Sequence, residues 1–249
     1  MFVSLAVALA AGGCLQTSID EVDGAFYAGG ERKVHCAIDI DTVTRNDDAS
    51  IDGGLDRARD RGEVIELFAH RPGKTVSWDT LEHVFAGAKS RGLPFVTYAD
   101  LATGTVTGPG IAFAFDDDAV DLWTQGRDLY ATYDARLTFF STRYDLLQDA
   151  QRAELRQLSV DGHDIEAHSA RHLRGPEVVE AKGLASYLAD EMQPSIDRLV
   201  ADGYPVSAFA YPFGARTDEM DAAILKQVPI LRSVAMTWGV VIEDPCPLD

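Results

Sequence analysis

Two segments of this chain carry carboxylates and imidazoles in a pattern suited to holding a metal ion: Phe113-Ala114-Phe115-Asp116-Asp117-Asp118 and Gly162-His163-Asp164-Ile165-Glu166-Ala167-His168-Ser169-Ala170-Arg171-His172. Ile111 to Phe115 is a short apolar run that reads as a buried strand. The aspartates therefore stand where a strand emerges, the edge at which barrel enzymes place catalytic groups. His168 and His172 are four positions apart, so a helical turn would aim both imidazoles from one face at one ion. One carboxylate and two imidazoles leave coordination positions open. A hydrolytic ion needs those positions, because it must hold a water, lower that water's pKa and polarise a carbonyl together. A second, unligated aspartate can then take the water's proton. Taken singly, an aspartate run after a strand is most often a solvated turn or a helix cap, and a single histidine is most often structural. Their joint occurrence is what points to a metal-dependent hydrolase.

The elements that must position these groups alternate along the chain. Val34 to Asp41 and Glu63 to His70 read as strands, the second ending in a histidine. A helix over 79–91 and a strand at Pro94 to Tyr98 follow, and further helical patterns cover 51–60, 121–130, 149–158, 183–202 and 218–226. This alternation predicts an α/β fold with a parallel sheet. At 249 residues and 46% hydrophobic, the chain suffices for one barrel-sized domain with a substantial core. A formal net charge of −18 argues against nucleic acid or an anionic membrane surface as partner, since a phosphate-binding face needs clustered Lys and Arg.

In their order, these motifs resemble the polysaccharide deacetylases of carbohydrate esterase family 4, the NodB-homology family. Phe115-Asp116-Asp117-Asp118 stands for that family's Phe-Asp-Asp-Gly, which implies Asp116 as general base and Asp117 as metal ligand. His168-Ser169-Ala170-Arg171-His172 stands for its His-Ser/Thr-x-x-His, implying two more ligands, and Arg136-Leu137-Thr138-Phe139-Phe140 for the Ala-Thr-Phe-Phe strand between the two motifs. Phe209-Ala210-Tyr211-Pro212-Phe213-Gly214 stands for the Pro-Tyr/Phe-Gly motif, implying that the Phe213 N–H stabilises the oxyanion. The family's acid histidine normally follows that motif. Here the equivalent segment lies in front, which resembles the circularly permuted branch that deacetylates poly-β-1,6-N-acetylglucosamine. His70 is then the general acid, oriented by Asp41 or Asp39. The resemblance implies a distorted (β/α) barrel of about seven strands. It also implies a divalent metal, zinc first and cobalt, nickel or iron as alternatives, and an acetylated polysaccharide as substrate. An O-acetyl esterase and an inactive glycan-binding lipoprotein are the competing readings.

Three positions depart from the family pattern. Asp118 replaces a glycine, Phe213 replaces the more usual tyrosine, and Ala210 stands where many members carry an arginine that orients the base. Arg174 or Arg216 is the expected substitute for that arginine. At the front, 2–11 is an apolar stretch too short to span a bilayer and is followed by Gly12-Gly13-Cys14. It reads as an export signal over 1–14 with lipidation at Cys14, then a polar tether over 15–31 and the catalytic domain over 32–249. The protein is accordingly expected in the periplasm or at the cell surface, with a lipid anchor as its one membrane contact. Cys36 and Cys246 remain, one near each end of the domain. In an oxidising compartment the permutation would allow them to pair; otherwise they are two buried thiols.

Overall fold

Large and small side chains alternate along Ile111-Ala112-Phe113-Ala114-Phe115, and the computed structural model, which describes residues 18–237 and Cys246, shows why. Nine strands form among the described residues: β1 (Phe26–Tyr27), β2 (Val34–Asp39), β3 (Val64–Ala69), β4 (Phe95–Val96), β5 (Gly110–Asp117), β6 (Thr138–Ser141), β7 (Asp164–Ala167), β8 (Ala208–Ala210) and β9 (Ile230–Ala235). Seven of them, in the order β3-β2-β9-β8-β7-β6-β5, pair in parallel, and β5 pairs with β3 to close the ring. This is a closed (β/α) barrel. β1 adds antiparallel to β3, and β4 adds parallel beside the start of β5, where β6 has not yet begun.

The alternation sorts side chains between two cores. Ala37, Ala112, Ala114, Ala208 and Ala210 point into the lumen with Phe68 and Phe140, so the small residues make room for the few large ones. Ile65, Leu67, Phe113, Phe115, Phe139 and Ile165 point outward and pack under helices through Leu55, Leu81, Phe85, Leu155 and Leu199. β2 and β3 sit between β9, the last of the described strands, and β5. The front segment therefore completes the barrel, and its strand ends open onto the same mouth as those of β5 and β7.

Several helices match their sequence pattern: Asp48–Arg61, Trp78–Ser90, Asp149–Val160 and Asp218–Ile224. The expected helix over 121–130 is instead two, Val120–Gln125 and Arg127–Thr132, meeting at Gly126. A Cβ on Gly126 would lie 2.3 Å from the Tyr130 hydroxyl, so the break seats that ring. The expected helix over 183–202 is interrupted by a π-helical turn at Leu188–Met192, just before Pro194 in the helix Gln193–Ala201. Proline has no N–H to donate and crowds the carbonyl four residues back, and a widened turn relieves both.

The expected tether over 15–31 is corrected from Ser18 onward. Short 3-10 turns at Ile19–Glu21 and Asp23–Ala25 lead into β1, and Ile19, Ala25 and Phe26 are buried. The Arg57 guanidinium lies 3.8 Å from the Phe26 ring centroid and donates to Asp23 and the Asp20 carbonyl, so this segment belongs to the barrel. The apolar stretch 2–11 and Cys14 lie outside the described residues. Cys36 and Cys246 are joined as a disulfide, with Cα atoms 6.1 Å apart. Cys36 is on β2, and the Cys246 sulfur lies 3.5 Å from the Val234 carbonyl of the neighbouring β9. The bridge therefore ties β2 to the segment that follows β9.

Candidate active site

β5 delivers the aspartates. Asp116 continues the inward-facing register of Ala112 and Ala114 and is 2% exposed. Its Oδ2 accepts a hydrogen bond from Arg232 Nη2 on β9, whose guanidinium lies between Phe68 and Phe140, 4.6 and 5.0 Å from their centroids. Asp116 Oδ1 is buried and has no hydrogen-bond partner among the described residues. Asp117 turns out of the strand with φ 88°, a left-handed conformation that aspartate adopts at some cost. That turn brings its carboxylate onto the same mouth as Asp116.

β7 delivers the first histidine. His168 Nδ1 lies 2.9 Å from the Ala210 carbonyl, which can only accept, so Nδ1 carries the proton and Nε2 keeps a lone pair. That nitrogen is 3.7 Å from Asp117 Oδ1 and 3.9 Å from Asp116 Oδ2. Burial pushes His168 down to about 4 against the pull of the nearby aspartates, so the imidazole is neutral at pH 7. His172 Nε2 stands 3.1 Å from Asp117 Oδ1, and the Phe213 ring packs against the His172 imidazole at 4.7 Å. Burial opposes ionisation of Asp117, but His172 beside it and the fields of His168 and His70 hold its carboxyl well below the usual range.

Asp117, His168 and His172 each offer a ligand atom, all within 4.8 Å of one another. Their chemistry fits a divalent ion: an ionised carboxylate whose buried Oδ1 lacks a well-formed hydrogen bond, and a neutral imidazole with its lone pair free. The expected helical turn across the histidines is absent. Residues 168–173 form a loop with Ser169 and His172 both left-handed, φ 64° and 60°. The Ser169 hydroxyl accepts the His172 N–H at 2.9 Å, a bond from side chain to backbone that replaces the helical ladder and brings the rings together.

β2 and β3 supply the facing group. His70 Nδ1 lies 2.7 Å from Asp41 Oδ2, while Asp41 Oδ1 accepts from the Thr75 hydroxyl and the His70 N–H. Asp41, and not Asp39, orients the imidazole; Asp39 is spent on the Asp41 N–H at 2.8 Å. Burial alone would lower the His70 pKa, but the Asp41 bond and the charges of Asp116, Asp39 and Asp41 raise it to about 9. Burial and the charge of Asp41 raise Asp39 to about 6.

Phe213 has φ 61°, and its side chain is 60% exposed at the rim. The next residue allows the turn: a Cβ on Gly214 would lie 2.7 Å from the Val234 side chain and 2.9 Å from its nitrogen. Asp118 points away and pairs with Arg143 at 3.3 Å. His163, at the opposite end of β7, accepts the Leu137 N–H at 3.2 Å within a ring pocket of Tyr130 and Phe139 and is no part of this site.

Neither expected arginine substitute is correct. Arg174 is half-exposed beside Glu177, and Arg216 is buried against Asp221, whose other oxygen accepts from Tyr211. The guanidinium that reaches Asp116 is that of Arg232, whose register partner on β8 is Ala210 itself. The guanidinium missing at position 210 thus enters the lumen from the adjacent strand at the same level. Its one trace in the sequence is a charged residue inside the apolar run Ile230-Leu231-Arg232-Ser233-Val234-Ala235.

The family model described as polysaccharide deacetylase matches residues 103–230, more than half of the chain, and the chain belongs to that family. The match covers the strands bearing Asp116, Asp117, His168 and His172 but not those bearing Asp41 and His70. A search of curated proteins finds no match. Among solved structures, IcaB from Ammonifex degensii is 14% identical, with TM-score 0.58 over 70% of this chain and 91% of that one. A polysaccharide deacetylase from Bacillus cereus is 17% identical, with TM-score 0.58 over 74% of this chain and 62% of that one. The Streptococcus pyogenes deacetylase PplD, solved in complex with acetate, is 15% identical, with TM-score 0.53 over 70% and 92%. At these identities the likeness is one of fold.

Proposed function

We propose that this protein is a metal-dependent hydrolase that removes acetyl groups from an N-acetylated glycan. The observation that carries the reading is the division of labour between adjacent aspartates: Asp117 faces two imidazoles, whereas Asp116 is held by Arg232 with one oxygen free. Asp117, His168 and His172 would hold the ion, zinc before cobalt, nickel or iron. When bound, the ion supplies a water activated at neutral pH and a Lewis acid for the acetyl carbonyl. Asp116 takes the proton of the attacking water at Oδ1 while Arg232 fixes its other oxygen. The Phe213 N–H donates to the acetyl oxygen as negative charge grows there. His70, its Nδ1 on Asp41, gives the proton of Nε2 to the departing amine.

The His70–Asp41 pair favours an amide over an ester as substrate. An amine leaves only when protonated, whereas an alcohol depends on the acid far less. Among the described residues no helix is long and apolar enough to cross a membrane, and the Cys36–Cys246 bridge supports residence in an oxidising compartment outside the cytoplasm. An export signal and lipidation of Cys14 complete the proposal for location.

The test is acetate release from partially acetylated N-acetylglucosamine oligomers, with a chelated control. Chelator-sensitive release is expected; His168→Ala loses metal and activity together, and Asp116→Asn loses activity while keeping metal. Metal content retained in the His168 variant would overturn the ligand assignment.

A further inference from the structure

A buried glutamate outside the barrel ring grips the middle of the loop that carries both imidazoles, while the Thr142 hydroxyl donates to the Ser169 carbonyl at 2.9 Å. Glu191 is fully buried in the π-helical turn Leu188–Met192, and all three of its acceptor oxygens face the segment between His168 and His172. Its carbonyl accepts the Ala170 N–H at 2.9 Å, Oε2 accepts the Arg171 N–H at 2.9 Å, and Oε1 accepts from Arg171 Nε at 2.5 Å. The His168 N–H donates to the Ser141 carbonyl on β6, and the His172 N–H to the Ser169 hydroxyl. In a loop with no helical ladder and two left-handed residues, Glu191 thus takes the two central amides. A regular helix directs carbonyls along its axis to its own later residues. The π turn interrupts that ladder and lets residue 191 present carbonyl and carboxylate to the same neighbour.

We propose that Glu191 is a positioning residue for the metal site, setting the separation of His168 and His172 through the backbone of Ala170 and Arg171. The inference rests on the ligand assignment above and extends it to the groups that hold the ligands. Partners of this kind typically change metal affinity by about 10–100-fold when removed. The Arg171 side chain is half-exposed and is the lesser part of the contact, because the backbone N–H remains when the guanidinium is cut away.

The test is cobalt(II) binding to the full chain, read as dissociation constant and visible absorption, with fold checked by near-ultraviolet circular dichroism. Glu191→Ala is expected to weaken binding about 10–100-fold and to alter the cobalt bands. Arg171→Ala should stay within about threefold of wild type. If the alanine variant does not fold, two others decide. Glu191→Gln keeps the reach and an acceptor for the Arg171 N–H, so it should bind nearly as wild type. Glu191→Asp keeps the charge but falls short by a methylene, so it should bind weakly with altered bands. Wild-type affinity and bands in the aspartate variant, or equal losses in Arg171→Ala and Glu191→Ala, would overturn the proposal. His168→Ala run in parallel separates the two claims: if it still binds cobalt as wild type, the ligand assignment itself fails, and the role of Glu191 falls with it.

Discussion

At the scale of single residues, adjacent aspartates meet different surroundings. Asp116 follows the strand inward to a guanidinium, and Asp117 turns out of it toward imidazoles. Arg232 and Asp116 form a buried pair, and breaking such a pair leaves an uncompensated charge. Arg232→Leu should therefore destabilise the fold by about 3–5 kcal/mol, seen as a lower denaturant midpoint, and reduce acetate release from the folded fraction at least about 100-fold. His70 makes the pH dependence specific. It donates only when protonated, and its pKa is raised to about 9, so activity should persist at neutral pH and fall as pH rises through that value. A bound divalent cation would move this edge downward. Asp41→Asn removes the hydrogen-bonded carboxylate that opposes the effect of burial, so the alkaline limb of kcat/KM should shift to lower pH. An unshifted limb would remove His70 from the role of acid.

At the scale of elements, the site depends on how strands end. β5, β7 and β8 each break from regular geometry at the mouth, with left-handed residues at Asp117, Ser169 and His172, and Phe213. Gly214, next to Phe213, has φ 65° and the β9 backbone where a Cβ would go. Gly214→Ala should cost about 1–3 kcal/mol in thermal or denaturant unfolding. Because it displaces the Phe213 N–H, kcat should fall by more than the loss of folded protein explains. The motifs bearing Asp116, Asp117, His168, His172 and Phe213 were legible because each is contiguous in the chain. The shape of the histidine loop was not. A spacing of four suits a helical face equally well, and the loop geometry comes from the Ser169 hydroxyl and from Glu191, nineteen residues beyond His172.

At the scale of the whole molecule, the barrel closes through its front segment. β2 and β3 carry Asp41 and His70 and fill the gap between β9 and β5, and a disulfide fastens β2 to the segment after β9. The bridge closes a loop with a sequence separation of 210, for which chain entropy suggests about 5 kcal/mol. Replacing both cysteines by serine should lower stability by about 3–5 kcal/mol in denaturant titration. Since Cys36 packs on the outer face of β2, kcat should not change. An equal unfolding midpoint with and without reductant would show that the bridge adds nothing to stability.

The amino-acid sequence by itself determined the alternation of strands and helices, a local property, and its contiguous motifs carried the resemblance that implied the barrel, the base and ligand candidates and the front-placed histidine. Only the tertiary structure decided which arginine serves Asp116, which of Asp39 and Asp41 serves His70, and how the histidine loop is held. Those choices follow from strand register and loop packing. Arg232 reaches the lumen because it lies beside Ala210 across two strands, a relation between residues distant in the chain that no local pattern encodes.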